Sequence, residues 1–233
     1  MKIQQYLLVL LEVLFPYMLN ADVTEDIHFS HIGLEEGLSH STIFAINQDK
    51  GGNLWFATYD GVNKYDGYNF IVYRHQYTNP KSIASDISRC ITMDDSDRIW
   101  IGTREGLSLY NHYKDEFSNY YYKRNGLNVA VTSIIPIKKD WLMLGTAEEC
   151  FLSDTLSSSL HGLQPAALVR QGDCIYIGTE EGVYIYTLSN GILEKLVDVP
   201  TGIRVHAILC QMFNRIWLGK GGLRREMDFI CTT

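Results

Sequence analysis

Three pairs of adjacent side chains recur at one place in a repeated phrase: Tyr59 and Asp60 in "WFATYDG", Arg104 and Glu105 in "WIGTREG", and Glu180 and Glu181 in "YIGTEEG". Glu148 stands at the same place in "LGTAEEC". A tyrosine ring offers a flat face to a saccharide, and guanidinium and carboxylate groups hydrogen-bond its hydroxyls in fixed, planar geometries. This is the chemistry of binding. Taken one at a time, such residues are ordinary solvated turn residues. Taken as a face, they are the best ligand-binding candidates in the chain. The sequence shows no G-x-S-x-G, H-E-x-x-H or phosphate-cradling glycine loop. Carboxylates for glycoside cleavage could assemble from separate repeats, but no pair is singled out. Of the seven histidines only His28 and His31 lie close, and on a strand they would face opposite sides. No catalytic residue, metal or cofactor is expected.

The elements that must hold these pairs are legible from the repeat itself. Its anchors are Trp55, Trp100, Met143, Tyr176 and Trp217, spaced 45, 43, 33 and 41 residues apart. A period near 40–45 with short β-branched and aromatic runs between turn residues is the signature of propeller blades. One repeat divides into strands A to D: "TIFAINQ", "LWFA", "GVNKYD" and "FIVYR". The chain is therefore expected to be all-β, a β-propeller of four-stranded blades with about five repeat starts. Blades are expected near residues 41–75, 86–122, 130–160, 166–198 and 204–233, the last incomplete or aberrant. Strand B is apolar on both faces because each blade is covered by its neighbours. Two residues after each anchor stands a small residue (Ala57, Gly102, Gly145, Gly178, Gly219), fitting a close approach of the next sheet. Gly61, Gly106 and Gly182 follow the B–C turn, where positive φ is often required; Glu149 takes that place in the third copy. Asp49 and Asp94 share one register in the A–B turn and are read as turn stabilisers. "YYYK" from Tyr120 reads as an outer-strand surface. "FSHIGLEEGLSHSTI" from Phe29 reads as an orphan D strand over 27–32 leading into the first A strand, which would serve to close a ring.

"GLSHSTIFAINQDKGGNLWFATYDGVNKYDGYNF" and "NPKSIASDISRCITMDDSDRIWIGTREGLSLYN" resemble two-component regulator propeller repeats, which form the periplasmic sensor region of hybrid two-component system proteins. The resemblance runs from about Phe29 to Leu223 and is weakest in the third blade. It implies seven-bladed propellers, a dimeric periplasmic region, and a role in sensing glycans and controlling genes for their use. Downstream of the propellers such proteins carry a membrane span, a histidine kinase, a receiver and a DNA-binding module, and the present residues show none of these. After "RIWLGKGGL" the repeat pattern breaks: Lys220 replaces the threonine, and "RREMDFICTT" follows. Two readings compete, an N-terminal fragment of such a sensor, or "LRREMDFI" as a fifth C strand in a closed five-bladed ring.

Composition narrows the partners. With 20 basic and 27 acidic residues the net charge is −7, which argues against nucleic acid or an anionic membrane surface. Lys2 and the apolar run Tyr6–Asn20, with Ala21 behind it, read as a signal peptide over 1–21; an uncleaved anchor is the alternative. A periplasmic location without further membrane contact follows. Five scattered cysteines cannot complete a disulfide framework and read as small buried hydrophobes. The leading expectation is a non-catalytic, ligand-sensing propeller segment with an oligosaccharide ligand. A secreted propeller lyase or glycosidase, and a free-standing five-bladed protein-binding scaffold, are the alternatives.

Overall fold

The computed structural model describes residues 29–138, 141–147, 149–152, 159–160, 163–198, 204–211, 215–221 and 228–232. These residues are all-β, laid out as successive up-and-down antiparallel sheets, each in strand order. The first sheet is β1 (Ile43–Gln48), β2 (Leu54–Thr58), β3 (Val62–Tyr65) and β4 (Phe70–Tyr73). The second is β5 (Ser88–Met93), β6 (Ile99–Thr103), β7 (Gly106–Asn111) and β8 (Glu116–Tyr120). A short hairpin, β9 (Lys123–Arg124) and β10 (Leu127–Asn128), leads to the third: β11 (Val131–Lys138), β12 (Trp141–Thr146), β13 (Cys150–Leu152) and β14 (Ser159–Leu160). The fourth is β15 (Ala167–Gln171), β16 (Cys174–Gly178), β17 (Gly182–Thr187) and β18 (Ile192–Asp198). The fifth has three strands among the described residues, β19 (Arg204–Gln211), β20 (Arg215–Gly221) and β21 (Asp228–Thr232). Its third strand begins inside "LRREMDFI" and runs beyond it, pairing Phe229 with Gly219 and Cys231 with Trp217.

The described part of the expected strand over 27–32 is not a strand: residues 29–32 join no ladder, and Phe29 is 93% exposed. Unpaired backbone groups stay in solvent when no sheet edge receives them. Residues 33–38 instead fold into a turn, in which the Leu38 amide donates to the Gly33 carbonyl at 3.1 Å. Gly37 takes φ +107° against the Phe70 ring, and Leu38 is buried.

The core lies in the seams between sheets, and each repeat anchor fills the next seam. Trp55, Ala57 and Val62 of the first sheet pack with Ile91, Ile99, Ile101, Tyr110 and Phe117 of the second. Trp100 and Leu107 pack with Val131, Ile134, Leu142, Leu144 and Phe151. Met143, Cys150 and Leu152 pack with Ile175 and Ile177, and Tyr176 flanks the smaller cluster of Val183, Val205 and Ile208. The Trp217 side chain lies outside the described residues. Burial on both faces explains why strand B carries no polar alternation.

The small residues beside the anchors are set by backbone proximity. A Cβ on Gly102 would come 2.7 Å from the Val131 carbonyl oxygen of the third sheet, and one on Gly178 would come 3.1 Å from the Val205 carbonyl oxygen of the fifth. Gly145 is enclosed by Ser133 and Pro165. Opposite this position strand A bulges in four sheets, between Ile43 and Ala45, Ser88 and Cys90, Val131 and Ser133, and Val205 and Ala207. A bulge at one register in each sheet adds local twist beside the close approach. Cys90 and Cys150 are free thiols, and burial pushes both up to about 12.

Candidate functional site

Because strands alternate in direction, B–C turns and D–A connections emerge at one end of the seams, and A–B and C–D turns at the other. Each end of the first seam carries a cleft.

At the B–C end, one hydroxyl shapes the turn in each of the first four sheets. Thr58, Thr103, Thr146 and Thr179 each donate from Oγ1 to the carbonyl three residues on, at 2.9, 2.9, 2.9 and 3.0 Å. The same oxygens accept amides within the turn, including those of Asp60, Glu105, Glu149 and Glu181. Gly61 and Gly106 close the turn at φ +92° and +139°, with their α-carbons pressed against the Tyr73 and Tyr120 carbonyls. Gly182 closes its turn at φ +152°. The turn therefore holds its two tip residues in a fixed attitude, which is what a binding face needs.

The cleft at this end, about 510 Å³, is lined by Arg104 and Glu105 from the B–C turn and by His75, Tyr77, Asp86, Tyr121 and Asn128 from the D–A connections. Its walls are tied down. The Arg104 amide donates to the Ile87 carbonyl at 2.9 Å, and Asn128 Nδ2 donates to Glu105 Oε2 at 3.0 Å. Asp86 Oδ1 accepts the His75 amide at 2.6 Å. His75 Nδ1 lies 2.8 Å from the Ile83 carbonyl, which can only accept, so Nδ1 carries the proton and Nε2 is left for other use. The imidazole stands edge-on to Tyr77 at 4.8 Å. Within the long connection Ser82 Oγ accepts the Gln76 amide and donates to the Asn79 carbonyl, while the Phe117 amide donates to Lys81 O. Among the described residues the Arg104 guanidinium has no hydrogen-bond or ion-pair partner. Tyr77 is 97% exposed and Tyr121 48%.

The cleft at the A–B end, about 560 Å³, is lined by Asp49, Asn53, Asp97, Arg98, Tyr110, Asn111, His112 and Tyr113. Here the charges are already engaged. Asp49 Oδ2 accepts the Trp55 indole N–H at 2.8 Å, and its Oδ1 accepts the Asn53 amide at 2.8 Å. Asp94 repeats the pattern, accepting Trp100 Nε1 at 3.0 Å and Arg98 Nε at 2.6 Å. Burial raises both carboxyls, but the indole and turn hydrogen bonds outweigh it and hold them below the ordinary value. Nearby, Asp115 Oδ1 accepts the hydroxyls of Tyr110 and Tyr73, both at 2.7 Å, which lowers its carboxyl too.

Of the residues expected to form one binding face, the structure brings Arg104 and Glu105 into a cleft. The others stand apart from it. Tyr59 packs beside His40 and Phe44, at 5.5 and 6.5 Å between rings. Asp60 is held by Arg74 through Nε at 3.1 Å and Nη2 at 2.8 Å, which lowers its carboxyl. Glu180 and Glu181 sit on the fourth sheet, where Glu181 Oε2 accepts the Tyr184 hydroxyl at 3.2 Å. Glu148 lies outside the described residues. His75, Tyr77, Tyr121 and Asn128 escaped the sequence reading because they come from connections whose course the repeat does not define. "YYYK" is not a single surface: Tyr120 ends β8, Tyr121 lines the cleft, and Tyr122 packs on the core of the second seam.

Residues 37–60, covering strands A and B of the first sheet with the Asp49–Trp55 pair and Thr58, match the family model described as Two component regulator propeller. The first sheet thus contains a stretch matching a two-component regulator propeller repeat. Over 49 residues, 21% of the chain, it is 47% identical to Histidine kinase P4 of Formosa agariphila, of which that stretch is 4%. Among solved structures, this chain is similar to the extracellular domain assigned to the hybrid two component system BT3049 of B. thetaiotaomicron, with 28% identity and a TM-score of 0.67. That likeness covers 82% of this chain and 29% of the other. The extracellular domain assigned to BT4673 of the same organism shares the fold, at 18% identity and a TM-score of 0.61, over 78% of this chain and 27% of that one. The chain thus spans under a third of either structure.

Proposed function

We propose that this chain is a non-catalytic, ligand-sensing propeller segment of a hybrid two-component regulator of glycan use. On this reading it is exported to the periplasm and takes a saccharide in the cleft formed by the B–C turn of the second sheet and the connections on either side of that sheet. The likeness of 82% of the chain to an extracellular domain of a hybrid two component system carries the reading. The cleft supports it with two tyrosine rings, a guanidinium and an imidazole nitrogen, around a space within the ~300–1,000 Å³ usual for small-molecule sites. Ligand contacts joining the B–C turn of the second sheet to the connections before and after it would favour one arrangement of these segments over another, and a coupled kinase would respond to that shift.

The test is thermal denaturation of the purified chain across a panel of neutral and acidic oligosaccharides. One class should raise Tm, and Tyr121→Ala should abolish the rise without lowering the Tm of the free protein. Release of new reducing ends from any member of the panel would replace this reading with an enzymatic one.

A further inference from the structure

We infer that the saccharide taken by the B–C cleft carries a single carboxylate, as in a uronate, and that Arg104 is the residue that recognises it. This rests on the reading of the cleft as a saccharide site and goes beyond it to the ligand's charge. Three residues of charged type line the cleft: Arg104, Glu105 and Asp86. Both acids have partners, Asn128 for Glu105 and the His75 amide for Asp86. Arg104 alone has none among the described residues, although its backbone is pinned to Ile87 and its turn is locked by Thr103. A guanidinium carried on a fixed stretch of backbone, with its donors unspent, fits a carboxylate by two parallel hydrogen bonds. Neutral hydroxyls would use one donor at a time and leave the charge uncompensated.

The surroundings restrict the ligand further. Glu105 and Asp86 line the same cleft as Arg104, and the whole protein carries −7. A densely charged polyanion meets repulsion there, whereas one carboxylate directed at Arg104 does not. Tyr77 and Tyr121 supply the ring faces against which the rest of the sugar can lie. His75 Nε2, the ring nitrogen left over once Nδ1 is committed to Ile83, can accept a hydroxyl proton.

The experiment is isothermal titration of the full chain with trisaccharides of two neutral sugars and one terminal galacturonate, glucuronate or mannuronate, the methyl ester of each, the wholly neutral trimer, and a heavily sulfated oligosaccharide. We expect one of the single-uronate trisaccharides to bind, with its ester and the sulfated chain at least about tenfold weaker, the loss expected for a hydrogen-bonded charge pair. Arg104→Ala should cost a similar factor, and Arg104→Lys should recover part of it, since the charge returns without the fork. Arg104 is exposed, so both variants should melt like the parent, which separates lost recognition from lost fold. Equal binding of acid and ester, or of a neutral trimer unaffected by Arg104→Ala, would overturn the carboxylate while leaving the saccharide site standing. Tighter binding of the sulfated chain would overturn the single-carboxylate inference. Failure of every saccharide to bind would overturn both the inference and the site.

Discussion

The first seam carries a cleft at each end, and the two are close in size, about 560 and 510 Å³. They differ in what their charged groups are already doing. At the A–B end Asp49 and Asp94 are tied to the indoles of Trp55 and Trp100, and Arg98 is tied to Asp94. Those carboxylates satisfy donors that would otherwise be buried without partners, so the polarity of that end is spent on the fold. At the B–C end the framework is satisfied by threonine hydroxyls and backbone groups, and the Arg104 guanidinium and His75 Nε2 are left over. Cleft volume does not distinguish a structural end from a binding end. Unused hydrogen-bonding capacity does.

The sharpest way to break this contrast is Asp94→Ala at the A–B end. It strands the Trp100 N–H and two turn amides, and it should cost about 2–4 kcal/mol in denaturant unfolding. A loss below about 1 kcal/mol would mean that the clamp is ornamental. A smaller effect comes from acid. The carboxyls of Asp49, Asp94 and Asp115 are all held below their ordinary value in the folded chain. The unfolded chain then takes up protons first. The stabilisation is fully present above the unfolded value, about pH 4, and is lost as pH falls through the lower folded values. Melting followed between pH 7 and pH 2 should show that decline, and Asp49→Asn with Asp94→Asn should flatten it; an unchanged profile in the double variant would assign the acid sensitivity elsewhere. At the B–C end Thr103→Val removes one hydroxyl from the turn and should cost about 1–2 kcal/mol. Smallest of all, Arg104→Ala should leave stability within about 0.5 kcal/mol, because an exposed side chain with no partner among the described residues holds none of them in place. A large loss there would place Arg104 among the structural residues.

Much of this was legible in the chain because a propeller writes its plan several times. The spacing of Trp55 and Trp100 gave the sheets, and the small residues two positions on gave the close approach that Val131 O and Val205 O make on Gly102 and Gly178. The role of Asp49 as a turn stabiliser was readable; its bond to an indole six residues later was not, because a strand's side-chain direction depends on a register that only the folded sheet defines. The binding face was half legible. Arg104 and Glu105 stand at a repeated position, but Tyr77, His75 and Asn128 belong to connections that differ from one repeat to the next. Tyr59 and Asp60 occupy the same register as Arg104 and Glu105, yet His40, Phe44 and Arg74 take them up locally. Register places a residue on a face, and its neighbours decide whether it remains available.

The claim that the B–C end binds while the A–B end holds the fold together is tested most directly by hydrogen–deuterium exchange. The chain would be compared alone and saturated with the oligosaccharide that raises its Tm most. The account predicts slowed exchange in residues 75–87 and 103–106, with 49–53, 96–98 and 111–113 unchanged. Protection of the second group with none in the first would contradict it and move the site to the other end of the seam.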